Sequence, residues 1–146
     1  MTYLEKDPVA AEVFLADGTA FTGAIYVAHE SDLGSVHPMW HLLAGQERLI
    51  PCRGEAGELV LLGRQAVVAV RISDDRYRVP EDLDVGLPMR LTMSGGHRFD
   101  GVLHMPAAVG SRISDLLNYA DAWLVQVSDD RHVWLASDQL VKVEAP

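Results

Sequence analysis

Cysteine is almost missing from this chain: Cys52 is the only one in 146 residues. A lone thiol closes no intrachain disulfide and supplies no cysteine pair for a metal, so a disulfide scaffold and a zinc ribbon are excluded, and the reading is a reducing, cytoplasmic compartment. Positive charge is scarce as well. Twelve Lys and Arg stand against 21 Asp and Glu, a formal net charge of −9. The deficit holds along the chain, with nine acids and five bases in residues 1–73 and twelve and seven in 74–146. An acidic surface repels phosphate backbones and anionic lipid, and no cationic stretch offsets it, so nucleic acid is not an expected partner. No apolar run approaches the roughly 20 residues that cross a bilayer, and "MTYLEKDPVA" lacks a basic region followed by an apolar core, so no membrane partner is expected. Catalytic signatures are missing too. Gly54 and Gly57 in "CRGEAGE" make a turn with no following helix and no Lys-Ser/Thr pair, which is no phosphate loop, and there is no His-Glu-x-x-His.

What is present is 49% apolar residues with 23% charged, the mix of a folded domain, and a pattern that occurs twice. "GTAFTGAIYV" (18–27) and "GHRFDGVLHM" (96–105) share Gly18/Gly96, Phe21/Phe99 and Gly23/Gly101 at an offset of 78. In the first, Phe21, Gly23, Ile25 and Val27 alternate with Thr22, Ala24 and Tyr26. In the second, Phe99, Gly101, Leu103 and Met105 alternate with Asp100, Val102 and His104. Period two predicts half-buried strands, and the Asp-Gly or Gly-Gly before each predicts a tight hairpin. Met39, Leu42 and Leu43 fall on Ile113, Leu116 and Leu117 at an offset of 74, each set spaced as one face of a short helix. Val60, Leu62, Val67 and Val70 fall on Val133, Leu135, Leu140 and Val143 at an offset of 73, which predicts two closing strands per copy.

The expected organisation is therefore a tandem repeat: residues 9–72, a charged linker 73–86, and residues 87–145. The fold class is mainly β. Units of about 60 residues have marginal cores, so the two copies are expected to pack together, each as a five-stranded SH3-like or Sm-like small barrel with one short helix between its second and third strands.

"VFLADGTAFTGAIYV" (13–27) resembles the first signature of the Sm and Sm-like proteins, an apolar residue, x, Asp-Gly, then apolar-x-Gly-x-apolar. That family carries a later Arg-Gly or Lys-Gly pair for RNA. Here Gly63-Arg64 has the reverse order and Ala136-Ser137 stands in the second copy, so RNA binding does not carry over. The second copy is similar to a group of uncharacterised bacterial small-barrel proteins with an Arg-apolar-Ser-Asp-apolar-Leu-Asn helix, here Arg112 to Asn118. The resemblance implies a fold and no activity, and the first copy has drifted to "PMWHLLA".

Candidate chemistry rests on histidine. His37 and His41 are spaced i, i+4, with His29 upstream, and could converge on a metal, while their alignment with Ser111 and Asp115 favours a solvent-side pair. Cys52 next to Arg53 could gain thiolate character, yet no histidine is close in sequence to act as its base. Asp115 and Asn118 could read a ligand, or serve as a first-turn acid and a C-cap. Trp40 and Trp134 are candidates for an exposed contact surface.

The leading reading is a non-enzymatic interaction or scaffold module without a cofactor, whose protein partner the sequence does not identify. The alternatives are a metal protein using His29, His37 and His41, and Sm-like RNA binding. Pro51 interrupts the third strand of the first copy where the second has Val125, so the third strand of the first copy is expected at an edge, and a homodimer held through Val125 follows.

Overall fold

The structure, a computed structural model, describes residues 6–28, 38–43, 47–72, 85–105, 122–128 and 131–145. In chain order the elements are β1 (Lys6–Leu15), β2 (Ala20–Ala28), helix α1 (Pro38–Leu43), β3 (Leu49–Gly54), β4 (Leu59–Gly63), β5 (Val67–Ile72), β6 (Val85–Met93), β7 (Arg98–Met105), β8 (Ala122–Ser128), β9 (Arg131–Ala136) and β10 (Leu140–Glu144). Single 3-10 turns, Arg64–Ala66 and Ser137–Gln139, connect β4 to β5 and β9 to β10.

The strands arise where alternation predicts them. In β1, Val9, Ala11 and Val13 are buried while Pro8 and Ala10 are exposed, and in β2 Ile25 and Val27 are buried while Thr22 is exposed. Met39 and Leu43 are buried on α1, and Leu42 packs partly buried against the same core. The second expected helix, with Asp115 and Asn118, lies outside the described residues. Of the expected linker, 73–84 also lies outside them, whereas Val85 and Gly86 already pair with Met105 and His104 in β6.

The mainly β class is borne out. Two closed barrels are not: all ten strands form one antiparallel sheet, in the order β10-β6-β7-β8-β9-β5-β1-β2-β3-β4, with β10 and β4 as its ends. The first half, β1 to β5, and the second, β6 to β10, run in the same order, with the fifth strand first and the fourth last. Neither half closes on itself, because the free side of β5 pairs with β9 of the other half.

Two apolar cores result, and each crosses the seam. The first, around Val13, Ile25, Met39 and Ile50, takes in Leu124, Trp134 and Ala136 from the second half. The second, around Leu91, Leu103, Trp123 and Val125, takes in Val68 and Ala69 from the first, with Phe14 packed on it. Phe14 meets Phe99 edge to face at 5.2 Å. The two hairpin turns also touch. Gly95 has φ +80°, and a Cβ there would lie 2.8 Å from the Gly18 nitrogen and 2.9 Å from the Leu15 carbonyl oxygen, so only glycine fits. His97 Nε2 donates to that same Leu15 carbonyl at 2.8 Å.

Pro51 does not make β3 an edge. Gly54 N–H donates to Glu58 O and Arg64 N–H to Arg48 O, each at 2.9 Å. By the alternation of an antiparallel ladder, Pro51 then sits opposite Leu61 in a pair without mutual hydrogen bonds, and its missing N–H faces β2. The β2 ladder accordingly stops at Ile25↔Cys52, one residue short of Pro51. Gly23 permits the close approach of these two strands, since a Cβ would run into the Arg53 carbonyl oxygen and lie 2.9 Å from the Phe21 ring. Gly23→Ala is expected to lower stability by about 1–3 kcal/mol through this overpacking. A urea titration measures it, and an unchanged midpoint would mean that β3 can move away freely.

Candidate functional site

The most unusual surface of the chain is the pair of ends of its sheet, and the seam between the halves shows what such strands do when covered. In the seam Ala69, Val70 and Arg71 of β5 face Leu135, Trp134 and Val133 of β9. Val68, Val70, Trp134 and Leu135 are all buried there. Polar contacts flank the ladder: Arg64 Nη2 lies 3.6 Å from Asp138 Oδ1, and the Gln139 amide donates to the Gln65 carbonyl oxygen.

The ends are different. Among the described residues β4 pairs only with β3, and β10 only with β6. The ladder that fixes Pro51 also turns the N–H and C=O groups of Leu59, Leu61 and Gly63 away from β3. On the other end Met93 N–H donates to His97 O at 2.7 Å, so Met93 and Leu91 bond towards β7 while Thr92 and Arg90 face β10. Their partners Lys142 and Glu144 therefore point inward, and Val143 presents its backbone groups outward. Among the described residues, three of the four large exposed apolar side chains lie on these end strands and the fourth on β3 beside β4. Leu59 is 56% exposed and Leu61 53% on β4, Val141 is 66% exposed on β10, and Leu49 is exposed at the start of β3. The segment Leu59–Gly63 holds no charged residue and no proline, the devices that normally protect an edge strand from pairing.

The residues singled out from the sequence are scattered. Val125 is buried in β8, which is bordered by β7 and β9, so that strand offers no edge. The proline contrast pointed to third strands, but chain order within each half makes the fourth and fifth strands the outer ones. Trp134 is no exposed contact residue either, since it is 1% exposed opposite Val70. It alternates with Val133 and Leu135 along β9, but both faces of β9 are covered, one by each core. The Trp40 side chain, His29, His37, Asp115 and Asn118 lie outside the described residues. His41 is half-buried in a shallow cleft with Tyr26, Leu42 and Ile50, bordered by the ion pair of Lys6 Nζ and Glu47 Oε1 at 2.6 Å. Among the described residues no three His, Cys, Asp or Glu side chains are grouped to hold a metal ion.

Cys52 is fully buried in the first core, and Arg53 does not activate it. The guanidinium points instead to Tyr26 Oη at 3.4 Å and the Gly57 carbonyl at 3.3 Å. Burial pushes the thiol up from 9.0 to about 11. That displacement lowers the thiolate fraction about 100-fold at neutral pH, so native Cys52 is expected to react with iodoacetamide at least that much more slowly than the urea-unfolded chain. The sign for stability follows: this contribution is complete below pH 9 and fades as pH rises through about 11. Equal alkylation rates in the native and unfolded chain would contradict the burial.

Arg64 is the residue that sequence reasoning missed. It is buried, with Nε donating to the Leu43 carbonyl at 3.1 Å, Nη2 to the same oxygen, and Nη1 to the Val67 carbonyl at 3.4 Å. It thus holds the end of α1 against the turn into β5. The available signal was an arginine standing alone between two apolar strands, "LVLLGRQAVVAV".

Comparison with protein-family models, with curated proteins and with solved structures finds no match to this chain.

Proposed function

We propose that this chain is a non-enzymatic interaction module of the bacterial cytoplasm, a duplicated five-stranded unit that joins protein chains by strand pairing at the two ends of its sheet. The observation that carries the reading is the coincidence of outward backbone groups with exposed Leu59 and Leu61 on β4 and Val141 on β10. An added strand would satisfy the backbone groups and cover the apolar side chains at once, with main-chain bonds supplying affinity and alternate side chains supplying specificity. The same order of strands in both halves supports the duplication, and the shared seam supports strand pairing as the way these units associate.

Proline at Leu61 or Val143 removes an outward N–H while leaving the bonds to β3 and β6 in place. Proteins retained by the immobilised chain are expected to be released when both substitutions are present. Retention that is indifferent to both prolines, or turnover of a small molecule by the purified chain, would remove this reading.

A further inference from the structure

We propose that the partner at each end is another copy of this chain: β4 of one copy pairs with β10 of the next in the register of the seam, and the copies close into a ring. The inference rests on the strand-pairing reading above and names its occupant.

Adding 73 to the residue numbers of β4 gives β9 to within one residue, and adding 73 to those of β5 gives β10 to within one residue. The two ends of the sheet are thus the two sides of the seam over again. Transferred to the ends, the seam pairs Ala69↔Leu135, Val70↔Trp134 and Arg71↔Val133 become Lys142 facing Leu62, Val143 facing Leu61 and Glu144 facing Val60 of the next copy. The backbone agrees with this register, because Leu61 and Val143 both turn their N–H and C=O outward and can exchange a pair of bonds.

The side chains agree as well. Leu61, 53% exposed, stands where Trp134 is 1% exposed, and Val141, 66% exposed, stands where Val68 is fully buried. Trp134 and Val68 are among the side chains that each half sends into the core of the other. In the assembly Leu61 would enter the second core of the neighbouring copy as Trp134 enters the first, and Val141 would enter the first as Val68 enters the second. Ser137 and Gln65 take the places of Arg64 and Asp138, an uncharged polar pair in place of an ion pair. Lys142 takes the place of Ala69, which makes the joint weaker than the seam and therefore reversible. A contact between unlike surfaces runs on as a filament or closes as a ring. Only the ring leaves no apolar β4 edge exposed.

The test uses the full chain and two variants, Leu61→Pro with β4 blocked and Val143→Pro with β10 blocked, at tens of micromolar by light scattering and native mass spectrometry. Wild type is expected as one discrete oligomer, each variant alone as a monomer, and their equimolar mixture as a one-to-one pair through the two edges left intact. Leu61→Glu and Val141→Glu, which replace exposed side chains and keep the backbone donors, form a second pair of variants should the prolines unfold the chain, and each is expected to weaken assembly at least tenfold. A monomeric wild type, an open series of sizes, or either blocked variant remaining assembled by itself would overturn the inference. A monomeric wild type whose edge prolines still release other retained proteins would overturn it and leave the strand-pairing reading standing.

Discussion

Trp134→Ala is expected to cost about 3–5 kcal/mol, the usual effect of truncating a large aromatic side chain in a core. The side chain is 1% exposed, belongs to β9 of the second half, and fills the core built around Val13, Ile25 and Ile50 of the first. A domain of this size has roughly 5–15 kcal/mol in total, so the loss is a large fraction of the whole. Because β5 and β9 share a ladder and each core draws on both halves, unfolding should remain a single transition, displaced to lower urea. The companion variant is Leu61→Ala, at the position 73 residues earlier. With that side chain 53% exposed, it should lose less than about 1 kcal/mol when measured at a concentration too low for copies to associate. Two separate transitions, or equal effects of the two substitutions, would show that the halves fold independently.

Arg64→Ala is expected to cost about 3 kcal/mol. Hydrogen bonds from a charged donor contribute about 1.5–3 kcal/mol, and the Leu43 and Val67 carbonyls would be left in a void without their donor. The nearby acid contributes little to this figure. Asp138 is 57% exposed at its side chain, so Asp138→Asn should cost under about 1 kcal/mol. Arg64→Lys should recover only part of the loss, since one ammonium on a flexible stem cannot serve both carbonyls as the planar guanidinium does. Thermal unfolding of the three variants orders them. An Asp138→Asn effect as large as that of Arg64→Ala would make the ion pair, and not the two carbonyls, the cause.

The residues that proved misleading share a physical feature. Pro51 removes one N–H from β3, and sequence alone does not say which neighbour that N–H would face. Trp134 alternates out of phase with Val133 and Leu135, which marks one face of a strand as solvent only if that face is uncovered, and here the first core covers it. Arg64 sits next to Gly63 in an order that reverses an RNA-binding pair, and its task is to brace the end of α1.

Alternation at Phe21–Val27 and Phe99–Met105, the glycine turns before them and the spacing of Met39, Leu42 and Leu43 were enough to place strands, hairpins and the first helix, because these depend on neighbours within a few residues. The offsets of 78 and 73 likewise placed the matching succession of strands in the two halves. Which strands would be edges, whether each half would close, and that β5 would find β9 depended on contacts between residues more than 60 positions apart. No local pattern encodes them. The pairing of the free side of β5 with β9 of the other half goes with the packing of Trp134 into the first core and of Val68 into the second. That pairing leaves β4 and β10 open and puts Leu61 and Val141 at the surface.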